Sequence, residues 1–218
     1  VQTCALPIYI AVSVATDALD RLHTTAESHH RIMILEVMGR NAGWIAIDSG
    51  ISGSADVILI PEIEFDIEKI VEKIKDREKG GKLFSIIVVA EGAKEIGGDV
   101  VVSKIVEDSP DPIRLGGIGN KLAYDLEKHI KDHEIRCTVL GYIQRGGITS
   151  SYDRMLSTRY GVAAVNLINE GKFGNMVCLT GNKISYVDLE KVIGKTKKVD
   201  PNGDLVKVAK SIGISFGI

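Results

Sequence analysis

Three places in this sequence set a chemically capable side chain beside glycine, just after an apolar run. They are Met38-Gly39-Arg40, Glu91-Gly92, and Gly141 to Gly147 with Arg145 inside. Arginine offers five donors in a planar fork that matches phosphate oxygens. A carboxylate accepts hydrogen bonds from sugar hydroxyls. Glycine lets the backbone approach a ligand closely. Two arginines and one glutamate so arranged fit a sugar phosphate. The same residues also read as surface ion-pair partners and a loop carboxylate, and spacing alone does not decide between the two.

Other signatures fail. Gly194-Lys195-Thr196 resembles the end of a P-loop, but the glycine required five residues earlier is Leu189. Gly116-Gly117-Ile118-Gly119 does not make a dinucleotide fingerprint and reads as turn glycines opening a helix. His29-His30 has no carboxylate or cysteine at ligand spacing, so no metal site is expected. The three cysteines, Cys4, Cys137 and Cys178, form no CxxC pair. No disulfide framework follows, and a reducing, cytoplasmic setting is expected.

The capable residues need elements to hold them. Ile10, Val14, Ala18 and Leu22 recur at i, i+4 and predict a helix. Ile32 to Met38, Asp56 to Ile60, Ser85 to Ala90 and Arg136 to Leu140 read as buried strands, and Met176 to Leu179 as a further strand. Helices are expected over Ala42 to Ile51, after an Asp66 N-cap with a Phe65–Ile70 staple and a Gly80 C-cap, and along Ile118, Leu122, Leu126 and Ile130. A long helix capped by Ser151 to about Ile168, and a short one over Leu205 to Ile212, complete the pattern. Lys94 to Pro112 is polar and aperiodic and reads as a loop. Continuous apolar strands alternating with amphipathic helices predict an α/β fold: a doubly wound, mostly parallel sheet with helices on both faces.

Length and composition agree. The 218 residues allow one large domain or two small ones. The hydrophobic share of 44% can bury a core. Lys plus Arg is 27 against 29 for Asp plus Glu, a net charge of −2, which leaves no electrostatic footprint for nucleic acid or an anionic membrane. No apolar run approaches the length of a membrane span. Residues 1–8 resemble translated adapter sequence, and from about Tyr9 the pattern opens in mid-helix. The chain is therefore expected to lack an N-terminal part.

Glu36-Val37-Met38-Gly39-Arg40-Asn41-Ala42-Gly43-Trp44-Ile45-Ala46 resembles a hallmark segment of the phosphofructokinases. So does Leu140-Gly141-Tyr142-Ile143-Gln144-Arg145-Gly146-Gly147 followed by Asp153-Arg154. Asp20 to Arg31, Ile60-Pro61-Glu62 and Ala90-Glu91-Gly92 fall in that family's order and spacing, from about residue 9 to the C-terminus. The resemblance implies the two-domain phosphofructokinase fold with much of the first domain missing. Residues 9–145 would form the fructose 6-phosphate domain, 146–198 a segment returning to the donor domain, and 199–218 a C-terminal segment.

The resemblance also implies residue roles. Met38, Gly39, Arg40, Glu91 and Arg145 match positions that bind fructose 6-phosphate within a subunit. Arg31 and Arg136 match arginines that reach the sugar phosphate of a neighbouring subunit in a homo-oligomer, a dimer or tetramer. Tyr142 stands where many ATP-dependent bacterial members have histidine, and it keeps a hydroxyl. The implied reaction is glycolytic phosphoryl transfer to O1, with Mg2+ and ATP or pyrophosphate as donor. A pyrophosphate-dependent enzyme and a non-catalytic sugar-phosphate-binding module are the alternatives. No catalytic base is assigned, since the family's base and donor loop belong to the N-terminal half. At the family's effector site Glu62 and Lys82 match, whereas His23, Gly80 and Phe84 depart, so regulation by nucleotide and phosphoenolpyruvate is not expected.

Overall fold

The computed structural model describes residues 8–105, 107 and 112–218. The expectation for residues 1–8 lies outside these, apart from Ile8, which opens the first helix. The chain divides into a larger unit, Ala11–Gly146 with Lys198–Ile218, and a smaller one, Gly147–Lys197 with the residues up to Ile10.

The larger unit is built on β1 (Ile32–Val37), β2 (Val57–Leu59), β3 (Ser85–Ala90) and β6 (Ile135–Val139), paired in the order β2-β3-β1-β6. Every pairing is parallel. Alternate strand residues feed two cores. Met33, Leu35, Val37, Ile86 and Val88 pack with Ala15, Leu19, Ile47 and Val206, which come from α1 (Ile8–His29), α2 (Trp44–Ser52) and α6 (Asp204–Ser211). Ile32, Ile34, Ile87 and Val89 pack with Ile70, Ile74, Leu122 and Leu126, from α3 (Ile67–Lys79) and α4 (Ile118–His129). Burial on both faces accounts for the unbroken apolar strands.

The helix predicted from Ile10, Val14, Ala18 and Leu22 forms as α1; Ile10, Ala11, Ala15, Leu19 and Ala26 are buried along it, and Ala18 and Leu22 pack against the core. Two expectations need correction. The stretch Lys94 to Pro112 holds β4 (Val102–Ile105), paired antiparallel with β5 (Ile113–Leu115). The strands are only four and three residues long, too short for an alternating pattern to mark them. The long helix α5 (Ser151–Asn169) is capped by Ser150, whose hydroxyl accepts from the Asp153 N–H at 3.1 Å. Two acceptor-bearing serines in a row left that choice to the backbone.

The remaining starts follow sequence. Asp66 caps α3 by accepting from the Glu68 N–H at 2.8 Å, with Phe65 buried beside it. In the smaller unit α5 is followed by β7 (Asn175–Thr180) and β8 (Lys183–Asp188), an antiparallel hairpin whose turn uses Gly181 at φ +59°. No helix among the described residues is long and apolar enough to cross a membrane.

Candidate functional site

The loops leaving β1, β3 and β6 all emerge at the carboxyl end of the sheet, and β6 joins β1 on the side opposite β3. A reversal of this kind makes the crevice where open α/β sheets take ligands. A cleft of about 650 Å³ lies there. Met38, Arg40, Glu91, Tyr142 and Arg145 line it, with Gly39 between the first two. Five of the eight expected site residues thus converge on one cavity, and a sixth shapes its wall.

Backbone contacts hold the arrangement. Gly39 sits at φ +154°, and a Cβ there would meet the Ala42 carbonyl oxygen at 3.0 Å. The Gly39 N–H donates to Glu91 Oε1 at 3.4 Å, and the Met38 N–H to Gln144 Oε1 at 3.2 Å. Gln144 is fully buried in the 3-10 turn Gly141–Arg145, where its amide donates back to the Gly141 carbonyl at 3.2 Å. It ties the third loop to the first. This role escaped sequence reading because a glutamine inside an exposed-looking Gly-rich segment gives no sign of burial. Tyr142 is 78% exposed, with the Arg145 guanidinium 5.7 Å from its ring centre.

Glu36 is the other carboxylate of the cleft. It is buried on β1 and accepts from the Gly117 N–H at 3.0 Å and the Gly119 N–H at 2.8 Å. It caps α4, whose own N-cap Gly117 carries no side chain. Burial pushes the Glu91 carboxyl above its ordinary value. Glu36 adds to that shift, while the Gly39 N–H, Arg145 and Arg40 oppose it. Burial and Glu36 together push the Cys137 thiol up to about 12, so it stays protonated and is a poor nucleophile.

Arg31 and Arg136 are elsewhere. Arg31 precedes β1 and Arg136 is the second residue of β6, so both lie toward the amino end of the sheet, away from the cleft. Glu134 bridges them, accepting from both guanidinium groups. Three of the positions compared with the family's effector site, Glu62, His23 and Phe84, make contacts within the fold. Glu62 accepts from the Gly43 N–H at 3.1 Å and the Val199 N–H at 2.8 Å. The His23 ring lies edge-on to Phe84, with its Nε2 2.8 Å from the Gly53 carbonyl oxygen.

Sequence reading assigned no part of the cleft to the β4–β5 hairpin, yet Ser103, Lys104, Ile113 and Arg114 line it. The Arg40 guanidinium donates to the Ile113 carbonyl at 3.0 Å. Among the described residues no group of three or more His, Cys, Asp or Glu could hold a metal ion. The two cleft carboxylates already accept backbone N–H groups, so these residues do not fit a resident Mg2+. Among the described residues that line the cleft, Arg40, Lys104, Arg114 and Arg145 outnumber Glu36 and Glu91 by two, a balance that favours an anionic ligand.

A family model described as phosphofructokinase matches residues 5–168. An ATP-dependent 6-phosphofructokinase 2 of Clostridium perfringens is 75% identical over 206 residues, covering 94% of this chain and 56% of the relative. A pyrophosphate–fructose 6-phosphate 1-phosphotransferase of Streptomyces coelicolor is 46% identical over 95% of this chain and 58% of its own length. Among solved structures, the phosphofructokinase of Saccharomyces cerevisiae aligns with a TM-score of 0.72 at 28% identity, covering 95% of this chain and 24% of that one. The chain spans about half the length of the curated relatives it matches.

Proposed function

Because the chain belongs to the phosphofructokinase family, we propose that it supplies the acceptor side of phosphoryl transfer from ATP to O1 of fructose 6-phosphate, giving fructose 1,6-bisphosphate and ADP. The observation that carries this reading is the convergence of Arg40, Glu91 and Arg145 on one cleft at the carboxyl ends of β1, β3 and β6. Arg40 and Arg145 oppose the dianionic 6-phosphate with charge-assisted hydrogen bonds. Glu91 accepts from a sugar hydroxyl, and Tyr142 donates from the rim.

In the transfer, O1 bonds to the γ-phosphorus as the bond from that phosphorus to the bridging oxygen breaks. The O1 proton passes to a base, and ADP leaves. Mg2+ would enter with the donor and would supply charge neutralisation there. Glu36 is not offered as the base, because its oxygens are held by the Gly117 and Gly119 N–H groups. Base and donor site are assigned to the remainder of the protein. Arg31 and Arg136, which share Glu134, would meet the sugar phosphate of a neighbouring subunit in a cytoplasmic homo-oligomer.

Pyrophosphate as donor is the second reading, favoured by the Streptomyces coelicolor relative. The higher identity of the ATP-dependent relative supports ATP. Whole protein, with its upstream sequence restored, is assayed for fructose 1,6-bisphosphate with each donor. Turnover with ATP, and a KM for fructose 6-phosphate raised roughly 10- to 100-fold by Arg145→Ala, is expected. Turnover with pyrophosphate alone would replace the donor. A variant effect on donor KM alone would overturn the site.

A further inference from the structure

We propose that His133, in the turn between α4 and β6, is a positioning residue: it fixes the peptide from which Arg31 projects, and so aims Arg31 for the sugar phosphate of a neighbouring subunit. The proposal rests on the function above for the role of Arg31.

The backbone at Arg31 is held at both ends of one peptide plane. Helix α1 ends on His30 in the left-handed region, at φ +52°. The Arg31 N–H donates back to the Ala26 carbonyl at 3.0 Å, the six-to-one bond of a helix closed by a left-handed residue. Glycine is the usual residue at such an end, because a Cβ is strained there. His30 carries a Cβ, and a contact from outside the helix supports it. His133 Nδ1 lies 2.7 Å from the His30 carbonyl oxygen, across 103 residues of sequence. A carbonyl only accepts, so Nδ1 carries a proton and donates. The His30 carbonyl and the Arg31 N–H belong to one planar unit. With one end tied to His133 and the other to Ala26, that plane cannot turn without breaking a hydrogen bond.

His133 is itself braced. Its Nε2 lies 2.9 Å from Glu78 Oε1, near the end of α3, and its side chain is only 12% exposed. Glu78 also accepts, so the ring serves both partners when both nitrogens carry protons. The Ile32 N–H donates to the Glu134 carbonyl at 3.0 Å, which stitches the residue after Arg31 to the residue after His133.

The side chain of Arg31 is guided from the same turn. Glu134 accepts from its Nε, a contact that does not use the two terminal nitrogens of the guanidinium fork. His133 thus fixes the root of the arginine and Glu134 its stem, and the proposal needs Arg31 to keep this partner.

The test uses the whole protein with its upstream sequence restored, and two substitutions that each keep one arm of the ring. His133→Asn sets an amide nitrogen near the Nδ1 position and keeps the bond to His30. His133→Gln reaches the Nε2 position and keeps the contact with Glu78. Each loses one hydrogen bond, so the two variants should melt within a few degrees of each other. His133→Gln is expected to raise KM for fructose 6-phosphate about five- to tenfold, with kcat and donor KM unchanged, the pattern of a lost binding contact. His133→Asn should recover most of that loss. Arg31→Ala is the control and should raise the same KM roughly 10- to 100-fold.

If Arg31→Ala raises KM and His133→Gln does not, the positioning role is wrong and the proposed function stands. If both His133 variants raise KM alike, in step with lower melting temperatures, His133 acts through stability and the proposal is overturned. If Arg31→Ala leaves KM unchanged, the reading of Arg31 falls and takes the proposal with it.

Discussion

Gly92 and Arg40 lie in backbone contact: a Cβ placed on Gly92 would stand 2.0 Å from the carbonyl oxygen of Arg40. The Gly92 N–H also donates to the Gly39 carbonyl at 3.3 Å. The loop after β3, carrying Glu91, and the loop after β1, carrying Arg40, are thereby one rigid piece. Carboxylate and guanidinium keep their separation only while residue 92 has no side chain.

Gly92→Ala is therefore expected to displace the Met38–Arg40 segment and weaken fructose 6-phosphate binding at least tenfold. The strands beneath stay buried, so far-UV circular dichroism should be unchanged. Calorimetry beside the spectrum checks this, and unaltered affinity would show that the loop relaxes without cost.

Glu91→Gln separates stability from function. A raised carboxyl pKa means that folding favours the protonated form. This group's stabilising contribution is complete below the ordinary value near 4.5 and is lost as pH rises through the raised one. The variant should melt at or above the parent's temperature at pH 7, with the difference closing as pH falls toward 4.5. Its sugar affinity should drop. A melting temperature well below the parent's at pH 7 would show that the Gly39 contact outweighs burial of the charge.

Arg77 tests the floor beneath the sheet. Its guanidinium meets Asp56 at 2.6 Å, with side-chain exposures of only 19% and 11%, and also donates to the Phe84 carbonyl and the Ser85 hydroxyl. Arg77→Ala strands a mostly buried carboxylate and should cost about 3 kcal/mol at pH 7. Asp56 is already held above its ordinary value, chiefly by burial. Protonation relieves it, so the deficit in urea unfolding should shrink as pH is lowered. A deficit that does not vary with pH would assign the loss to packing.

Glu62 bears on regulation. Its carboxylate is committed to the Gly43 and Val199 N–H groups, joining the start of α2 to the C-terminal segment. Glu62→Ala should lose about 2–3 kcal/mol, and Glu62→Gln about half as much, because the amide oxygen still accepts. With the carboxylate so used and Phe84 packed against His23, the whole enzyme's fructose 6-phosphate curve should not respond to millimolar ADP or phosphoenolpyruvate. A ligand can shift an equilibrium only by its differential affinity. A midpoint shift abolished by Lys82→Ala would show a working effector site.

The parallel strands, α3 with its Asp66 cap, and the Met38–Arg40, Glu91 and Gly141–Gly147 segments were legible in the sequence alone. Each is specified locally, by apolar runs, a capping side chain, or glycine beside a functional group. Tertiary structure decided the rest. The sequence offers two i, i+4 rows on α1, Ile10-Val14-Ala18-Leu22 and Ala11-Ala15-Leu19, and only packing decided that the second lies deepest. The β4 and β5 strands are too short for a pattern to mark them, so only strand pairing, and the bulge at Ser103, brings Lys104 opposite Arg114. Arg31 and Arg136 are 105 residues apart in sequence, and Glu134 joins them because parallel register sets the start of β6 beside the start of β1. Side-chain type is written residue by residue. Which groups share a cavity is set by register, and register comes from the whole sheet settling at once.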